Sequence, residues 1–504
     1  MIESNERHRR DYPALIQNDR TVTHGEFAAR SRQLASALNK AGCRKQDRVS
    51  MLSLNSIEQC LIYGAGELSG YITAPINFRL AGEEIVYQVN DCLPLVLFFQ
   101  SGFTDLIGAI RDRLPSIRQF VCIGPAPDWA TDFESFLATG DPEGTPFRAD
   151  EDDVAYLVYT SGTTGKPKGC MLGHKTQMWT ILAFAGDMGL SRMDRGMVVM
   201  PLFHIGAKDV QLAVQLQGGA LVIADKFDPD DYLQLVQDQK VTVGHLAPTM
   251  IQTLLESSKV EALDLSSLRL VLYSAAAMPV TVLRRAIARF GQIFQQAYGL
   301  TESAGTSLHR LEHDPDGDEA VQRRLRSVGT PFIGVDLMIA DDAGRPLPID
   351  TPGEILFRSP GNMLGYWNNT AASIDALRDG WFRTGDMGVL DEDGYCYIVD
   401  RKKDMINSGG ENIYSREVEE ALLTHAEISE VSVIGIDDPK WGEAVCAIVV
   451  TTAGSSLTEE AVVEHSRSQL ASYKKPRKVV FVDSLPKLAS GKVDKVALRK
   501  AWNG

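Results

Sequence analysis

The sequence lacks the patterns by which secreted, membrane-spanning and cysteine-stapled proteins are recognised. Its seven cysteines are scattered and odd in number, and no C-x-x-C pair occurs. This argues against a disulfide framework or a zinc site and fits a reducing compartment. The first ten residues contain no apolar core of a secretory signal, and no window approaches the roughly 18 apolar residues of a membrane span. We therefore expect a cytoplasmic protein without a membrane span.

Positive charge is also scarce. The chain has 51 lysines and arginines against 66 aspartates and glutamates, a formal net charge of −15, which argues against general nucleic-acid binding. The entire net negative charge comes from residues 1–400, because residues 401–504 carry 15 basic and 15 acidic side chains. A net acidic domain that binds phosphates needs lysine or arginine side chains nearby. The C-terminal fifth of the chain, which carries no net negative charge, is where such side chains are available.

The length of 504 residues predicts two or more domains. Up to residue 330, short apolar runs alternate with helical patterns, which is typical of α/β layers with largely parallel sheets. From there the pattern changes to β-structure punctuated by glycine and proline. We predict a large α/β domain at residues 1–400, with layered subdomains and a β-rich subdomain, and a small mobile α+β domain at residues 401–504.

Individual elements can be predicted within this scheme. The pattern predicts a helix at residues 57–69 and strands at residues 220–223, 241–243 and 270–273. Glycines 64 and 66 lie inside the predicted helix rather than at a strand–helix turn. We therefore interpret them as positions of close helix packing, not as a dinucleotide fingerprint.

A strand-like run at residues 156–160 ends in a loop rich in glycine, hydroxyl groups and lysine at residues 161–169. Glycines let backbone N–H groups approach an anion, and hydroxyls and lysines add donors and positive charge, so the loop suits a polyphosphate. It is not a Walker A loop, because only two residues separate Gly162 from Gly165. An ordinary surface loop has a similar composition, so this interpretation depends on the remaining segments.

Three further loops follow predicted strands. In residues 201–207 a phenylalanine precedes a histidine, although a single loop histidine is more often structural. Residues 274–279 are mostly small and fit either a pocket wall or a plain strand–helix turn. In residues 296–302 an aromatic side chain can cover a purine, and Thr301 and Glu302 offer oxygen ligands to a hard cation such as Mg²⁺.

Three C-terminal segments complete the set. Asp386 follows a glycine, and its carboxylate can accept two hydrogen bonds from a ribose diol, although alone it would be interpreted as a turn aspartate. The charged run at residues 400–404 is either a solvated turn or a hinge. Lys492 follows a glycine near the end of the chain, where a lysine is usually a solvated charge.

These segments occur in the order found in the adenylate-forming superfamily, and the chain resembles its acyl-CoA synthetases. The resemblance implies a nucleotide site made of Thr160, Ser161, Gly162, Thr163, Thr164, Gly165, Lys166, Lys168, Ala276, Tyr298, Gly299, Asp386 and Arg401. It implies catalytic roles for His204, Thr301, Glu302 and Lys492, and Mg²⁺ binding by Glu302 and Thr163. It also implies an acyl pocket at Phe203, Ile205, Ala207 and Gly305, a hinge at Lys403, and a CoA channel at Gly409, Gly410 and Glu411.

The implied reaction has two steps. A carboxylic acid, aliphatic or of the aryl or cinnamate type, reacts with ATP to give acyl-AMP and pyrophosphate, and CoA then takes the acyl group. Lys492 serves the first step, after which the small domain rotates about Lys403 and brings Gly409 and Gly410 towards CoA. ATP, Mg²⁺ and CoA are therefore the expected cofactors and co-substrates. His204 stands where enzymes for α-amino acids carry an aspartate, which disfavours an amino-acid substrate.

Three alternatives stay open at this point. An acyl-AMP ligase that loads a carrier protein, a light-producing oxygenase and a non-catalytic nucleotide-binding protein share the same motifs. Pyrophosphate release from a panel of carboxylic acids, with and without CoA, separates them. A homodimer is compatible with the sequence.

Overall fold

The computed structural model describes residues 1–160, 167–274, 276, 278–408, 411–488 and 491–502. The chain divides into two compact units, residues 1–337 with 357–383 and residues 338–356 with 384–504. The domain boundary expected between residues 400 and 401 stays a prediction. None of the helices in the described ranges combines the length and apolar character that crossing a bilayer requires.

The α-helices of the described residues are, in chain order, α1 Ile2–Arg9, α2 His24–Lys40, α3 Ile57–Ser69, α4 Gly82–Cys92, α5 Thr104–Ile110, α6 Phe133–Ala138, α7 His174–Asp187, α8 Ile205–Leu216, α9 Pro229–Gln239, α10 Pro248–Glu256, α11 Val280–Phe290, α12 Glu319–Arg324, α13 Thr370–Ala376, α14 Ser415–Leu422, α15 Glu459–Gln469 and α16 Lys495–Trp502. Several begin with side-chain caps. Thr23 and Glu26 form a reciprocal capping box on α2, and Asp228 accepts two backbone N–H bonds ahead of Pro229 on α9.

The strands of the described residues are β1 Pro13–Gln17, β2 Arg20–Thr23, β3 Arg48–Leu52, β4 Ile72–Pro75, β5 Val96–Gln100, β6 Gln119–Ile123, β7 Thr131–Asp132, β8 Val154–Thr160, β9 Lys168–Gly173, β10 Arg195–Val198, β11 Ala220–Ile223, β12 Val243–Leu246, β13 Leu270–Tyr273, β14 Phe294–Leu300, β15 Ser303–Leu308, β16 Thr330–Pro331, β17 Asp336–Ala340, β18 Gly353–Arg358, β19 Gly365–Tyr366, β20 Leu377–Arg378, β21 Trp381–Leu390, β22 Cys396–Arg401, β23 Ile406–Ser408, β24 Glu411–Ile413, β25 Ile428–Asp438, β26 Gly442–Thr451 and β27 Lys478–Phe481.

Two sheets form the frame of the first unit. Their strand orders are β16-β15-β14-β13-β12-β10-β11-β1-β2 and β19-β9-β8-β4-β3-β5-β6-β7. The run from β14 to β1 is parallel, and so is the run from β8 to β7. The predicted parallel layers are therefore confirmed. Strands such as β11 and β13 are buried along their whole length, which explains why they read as uninterrupted apolar runs.

The predicted elements agree closely with the observed ones, with two instructive differences. Helix α3 and strands β11 and β13 have the predicted bounds. The strand expected at residues 241–243 is instead β12 Val243–Leu246, and β9 begins at Lys168, inside the expected loop. Strand β12 contains Gly244, where an added Cβ would lie 2.4 Å from the Tyr232 hydroxyl oxygen. This close approach accounts for a glycine in a central strand, where composition disfavours one.

The glycines of α3 pack closely, as predicted. A Cβ added to Gly64 would lie 2.4 Å from Ser31 Oγ on α2, and one added to Gly66 would lie 2.8 Å from the Tyr71 carbonyl oxygen. Larger side chains at these positions would displace α2 or the start of β4. The interpretation of these glycines as packing positions is confirmed.

Charged side chains are buried between α3 and α8. Lys208 Nζ lies 2.8 Å from Glu67 Oε1 and 4.1 Å from the centre of the Tyr63 ring. Burial acts to raise the pKa of Glu67, but the ion pair with Lys208 outweighs it and the pKa lies below its ordinary value. The neighbouring Asp209 is buried, and its Oδ1 has no hydrogen-bond partner in the described part of the chain. Burial raises the pKa of Asp209 to about 7, although Lys208 acts in the opposite direction.

The buried Asp209 carboxyl makes the stability of this unit depend on pH. Between the ordinary pKa of 3.8 and about 7, the native state holds a proton that the unfolded chain has lost, so stability falls as pH rises through this window. Asp209→Asn removes the charge and is expected to stabilise the protein by up to about 4 kcal/mol above pH 7. Its gain in melting temperature over the native chain should be larger at pH 8 than at pH 5.5. Equal gains at both pH values would contradict this account, and Asp19→Asn, in an exposed turn, provides the control.

The second unit has its own core. Its main sheet has the order β24-β23-β26-β25, and β27 adds in parallel to β26. Buried Val418 and Leu422 of α14 and Val462 of α15 pack against apolar residues of β25 and β26. Asp400 at the end of β22 is buried, accepts hydrogen bonds from the Ser415 hydroxyl at 3.2 Å and from the Arg416 backbone at 3.4 Å, and so ties β22 to the first turn of α14.

Candidate active site

The predicted phosphate loop connects two antiparallel strands. Strand β8 ends at Thr160, which pairs with Lys168 at the start of β9. The residues between them, Ser161, Gly162, Thr163, Thr164, Gly165 and Lys166, lie outside the described ranges. The base of the hairpin is held by the Tyr159 hydroxyl, which donates to Asp91 Oδ2 at 2.5 Å, and by the Tyr87 hydroxyl, which donates to the Pro167 carbonyl at 3.1 Å.

A cation and a buried carboxylate lie next to this hairpin. Lys168 Nζ stands 4.6 Å from the centre of the Tyr366 ring, and the Tyr366 hydroxyl donates to Glu302 Oε1 at 2.8 Å. Burial and the adjacent Glu302 carboxylate raise the pKa of Tyr366, so the phenol keeps its proton and can donate. The structure thus brings together Lys168 and Glu302, two predicted site residues from separate segments.

Tyr366 was not among the predicted site residues. It lies in the two-residue strand β19, which pairs with β9 so that Tyr366 stands opposite Cys170. The sequence signal that could have found Tyr366 was an aromatic residue directly after a glycine. In the structure, Gly365 has a φ of 137°, a conformation that favours glycine. Composition alone could not connect this position to Glu302.

The segment that precedes Glu302 contains an irregularity in strand pairing. Strands β14 and β15 pair with a shift of register between Tyr298 and Gly299. The Tyr298 ring lies 6.0 Å from the Phe357 ring, and a Cβ added to Gly299 would lie 2.9 Å from the Ser303 carbonyl oxygen. Thr301 is half-buried, and its carbonyl oxygen lies 3.8 Å from Cys170 Sγ. The glycine is therefore required by the tight return of the chain.

The predicted acyl-pocket residues lie at and around the start of α8. His204 is exposed, and its Nδ1 accepts the Gly206 backbone N–H at 3.3 Å, which caps the helix. Phe203 is half-buried and packs edge-on against Phe78, with ring centres 5.3 Å apart. The other predicted acyl-pocket residues, Ile205, Ala207 and Gly305, are buried, whereas Ala276, predicted for the nucleotide site, is exposed.

In the second unit, the predicted ribose and nucleotide residues form an ion pair. Asp386 and Arg401 stand opposite each other in the pairing of β21 with β22, and Arg401 Nε lies 3.2 Å from Asp386 Oδ1. Asp386 is buried and Arg401 is exposed. Lys403 and Glu411 are exposed, whereas Gly409 and Gly410 lie outside the described residues.

Lys492 lies on a turn of the second unit near this ion pair. The Leu488 backbone N–H donates to the Lys492 carbonyl at 2.8 Å. The pKa of Lys492 is lowered by partial burial of the ammonium and by repulsion from Arg401 and Lys403, while Asp386 acts in the opposite direction. The residue as a whole is exposed.

Comparison with known proteins identifies the family. The family model described as AMP-binding enzyme matches residues 2–367, and the model of the AMP-binding enzyme C-terminal domain matches residues 417–492. The chain belongs to the AMP-binding enzymes. The resemblance to the adenylate-forming superfamily and the predicted α/β fold class are thereby confirmed.

Individual AMP-binding enzymes match along almost the whole chain. An indoleacetate–CoA ligase of Aromatoleum aromaticum is 35% identical over 484 residues, or 96% of this chain and 93% of that protein. A feruloyl-CoA synthase of an Amycolatopsis species is 36% identical over 97% of this chain and 96% of that protein. The solved structure of ATP-bound MatB from Rhodopseudomonas palustris has a TM-score of 0.88 and 29% identity, and the match covers 100% of this chain and 99% of that one.

Proposed function

We propose that this AMP-binding enzyme joins a carboxylic acid to CoA at the expense of ATP, releasing AMP and pyrophosphate, with an aryl or aliphatic acid as the acyl donor. The observation that carries this proposal is the cluster of Lys168, Tyr366 and Glu302 at the hairpin after β8. It combines a cation for phosphate oxygens with a buried carboxylate for a divalent ion, which is what a site for ATP needs.

In the first proposed step, a carboxylate oxygen attacks the α-phosphorus of ATP. The new O–P bond forms as the bond to pyrophosphate breaks, and the product is an acyl-AMP. The protein contributes positioning and charge neutralisation rather than covalent chemistry. We assign Lys168 and the loop at residues 161–166 to the β- and γ-phosphates, Asp386 and Arg401 to the nucleoside side, and Lys492 to the charge at the reacting phosphorus.

In the second proposed step, the sulfur of CoA attacks the acyl carbonyl carbon. The C–O bond to AMP breaks, and AMP leaves with its electron pair, so that a thioester is formed. Lys403 as a hinge and Gly409, Gly410 and Glu411 as a CoA channel remain proposals that rest on the resemblance to the family.

Glu302 is the residue that we propose for Mg²⁺. Sites for Mg²⁺ that also hold substrate phosphates use one or two carboxylates and several oxygens from water and phosphate, so a single buried carboxylate fits. Within the described residues, no group of three or more histidine, cysteine, aspartate or glutamate side chains could hold a metal without such additional ligands. The ion supplies neutralisation of phosphate charge when it is bound. The second proposed ligand, Thr163, lies outside the described residues.

The relatives guide the choice of acids. Indoleacetate and ferulate, named for the two matched ligases, are aryl acids, so both belong in a panel with saturated fatty acids of graded length. Cytoplasmic location and a homodimer are the further expectations to be tested, by cell fractionation and by sedimentation of the purified protein.

The decisive experiment measures pyrophosphate and thioester from each acid with and without CoA. We expect acid-dependent pyrophosphate release and a thioester that requires free CoA. Adenylate that accumulates and is transferred only to a carrier protein would instead support the acyl-AMP ligase. Nucleotide binding without pyrophosphate from any acid would support the non-catalytic alternative.

A further inference from the structure

A small cavity lies in the first unit between α8 and the central strands. Its volume is about 10 Å³, and its lining includes Met200, Ala207, Val210, Gln211, Val214 and His245. The α8 residues among them recur at intervals of three and four, so they form one face of the helix. A cavity of this size holds about one water molecule or one polar atom of a ligand.

Two buried polar atoms in this cavity's lining have no partner. His245 is 4% exposed and Gln211 is 1% exposed. In the described part of the chain, neither His245 Nδ1 nor Gln211 Oε1 has a hydrogen-bond partner. An unpaired polar atom in a buried site is destabilising, so two of them in the lining of one cavity indicate that something polar enters it.

The two atoms are complementary to a hydroxyl group. Burial lowers the pKa of His245 to about 3, with a smaller contribution from His204, so the imidazole is neutral and has one N–H. Its Nε2 lies 2.8 Å from Ser274 Oγ; when that hydroxyl donates to Nε2, Nδ1 carries the proton and can donate. Gln211 Oε1 can only accept. A hydroxyl group can accept from the first and donate to the second.

The cavity also adjoins the proposed acyl pocket. Ala207, a proposed wall residue, lines it, and Met200 directly precedes the segment that carries Phe203 and His204. A Cβ added to Gly206 would lie 3.5 Å from His204 Nδ1 and 3.8 Å from His245 Cε1, so both histidines lie next to this glycine. Gln211 follows His204 by two turns of helix, roughly 10 Å along the axis.

We infer that His245 and Gln211 select carboxylic acids that carry a hydroxyl group at the end remote from the carboxylate. This inference rests on the proposed function and narrows its substrate class. The hydroxyl oxygen accepts from His245 Nδ1 and its hydrogen is donated to Gln211 Oε1. A hydroxyaryl acid and an ω-hydroxyalkyl acid of similar length present the same group, and the experiment distinguishes them.

The test compares acids that differ only in this hydroxyl group. The pairs are 4-hydroxycinnamic acid with cinnamic acid, and 8-hydroxyoctanoic acid with octanoic acid. We expect kcat/KM for pyrophosphate release to favour the hydroxylated member of at least one pair by about 10- to 100-fold, because the plain acid leaves both polar atoms unpaired. The pair that shows the preference identifies the aryl or the alkyl source.

Two variants locate the preference. His245→Leu and Gln211→Leu should each lower the preference for the hydroxylated acid to within about threefold while the plain acid is used at least as well as before. The control is Gln177→Leu on α7, since Gln177 is also buried with an unpaired Oε1 but lines a different cavity. It should keep the native preference. Gln211→Leu serves as the decisive variant if His245→Leu does not fold.

Each outcome decides one of the two proposals. Equal use of both members of both pairs, or variants that lower both members equally, would mean that the cavity holds water only and would overturn the inference. If no acid yields pyrophosphate, the proposed function fails instead. Calorimetric binding of the same four acids to the native protein and to Gln211→Leu then tests the hydroxyl preference independently of catalysis.

Discussion

Lys492→Ala is expected to reduce acyl-AMP formation by about 10³-fold or more while leaving the transfer of a supplied acyl-AMP to CoA within about threefold of the native rate. The first step gathers negative charge at the α-phosphorus, where the ammonium of Lys492 is proposed to act. In the second step no bond to the α-phosphorus forms or breaks, because AMP is already bonded to the acyl group. Negative charge therefore does not gather at the phosphorus in that step. The two half-reactions can be measured separately, by pyrophosphate release and by thioester formation from synthetic acyl-AMP.

Two further variants make this result specific. Lys487→Ala removes an exposed lysine from the same C-terminal segment, one that pairs with Glu430 at 3.0 Å, and should leave both half-reactions unchanged. Lys492→Arg keeps the charge but changes its geometry, and we expect intermediate activity in the first step. Equal loss of both half-reactions in Lys492→Ala would refute the proposed division of labour.

Glu302→Gln is expected to lower acyl-AMP formation by about 10²-fold or more and to raise the Mg²⁺ concentration required for half-maximal rate. The amide keeps the size of the side chain but removes the charge that is proposed to hold the cation. The measurement is the initial rate of pyrophosphate release over a range of Mg²⁺ concentrations. A purely structural role would lower the rate by the same factor at every Mg²⁺ concentration, which would refute the assignment.

Tyr366→Phe is the matched companion of this variant. It keeps the ring beside Lys168 but removes the hydroxyl that donates to Glu302 Oε1 at 2.8 Å. Without this donor the Glu302 carboxylate should bind Mg²⁺ in a less defined orientation, and we expect a loss of about tenfold, much smaller than that of Glu302→Gln. A Tyr366→Phe variant as impaired as Glu302→Gln would show that the hydroxyl has a direct role in the reaction.

Local features of the site could be predicted from the sequence because each depends on a few neighbouring residues. The end of β8 at Thr160 follows from a local apolar run that gives way to a glycine-rich segment. The contacts between distant segments could not be predicted from the sequence. Tyr366 reaches Glu302 only because β19 pairs with β9, and no local pattern specifies that partner.

The sequence by itself determined the parallel α/β layers, the bounds of α3, β11 and β13, and the family, since these follow from hydrophobic periodicity and from motifs of contiguous residues. Only the tertiary structure decided which side chains share a partner or a cavity. It placed His245 and Gln211 in the lining of one cavity, left Asp209 Oδ1 without a hydrogen-bond partner among the described residues, and required glycine at position 244 against the Tyr232 hydroxyl. These contacts depend on distances between segments that are far apart in the chain. Packing sets those distances, whereas local conformational propensity does not.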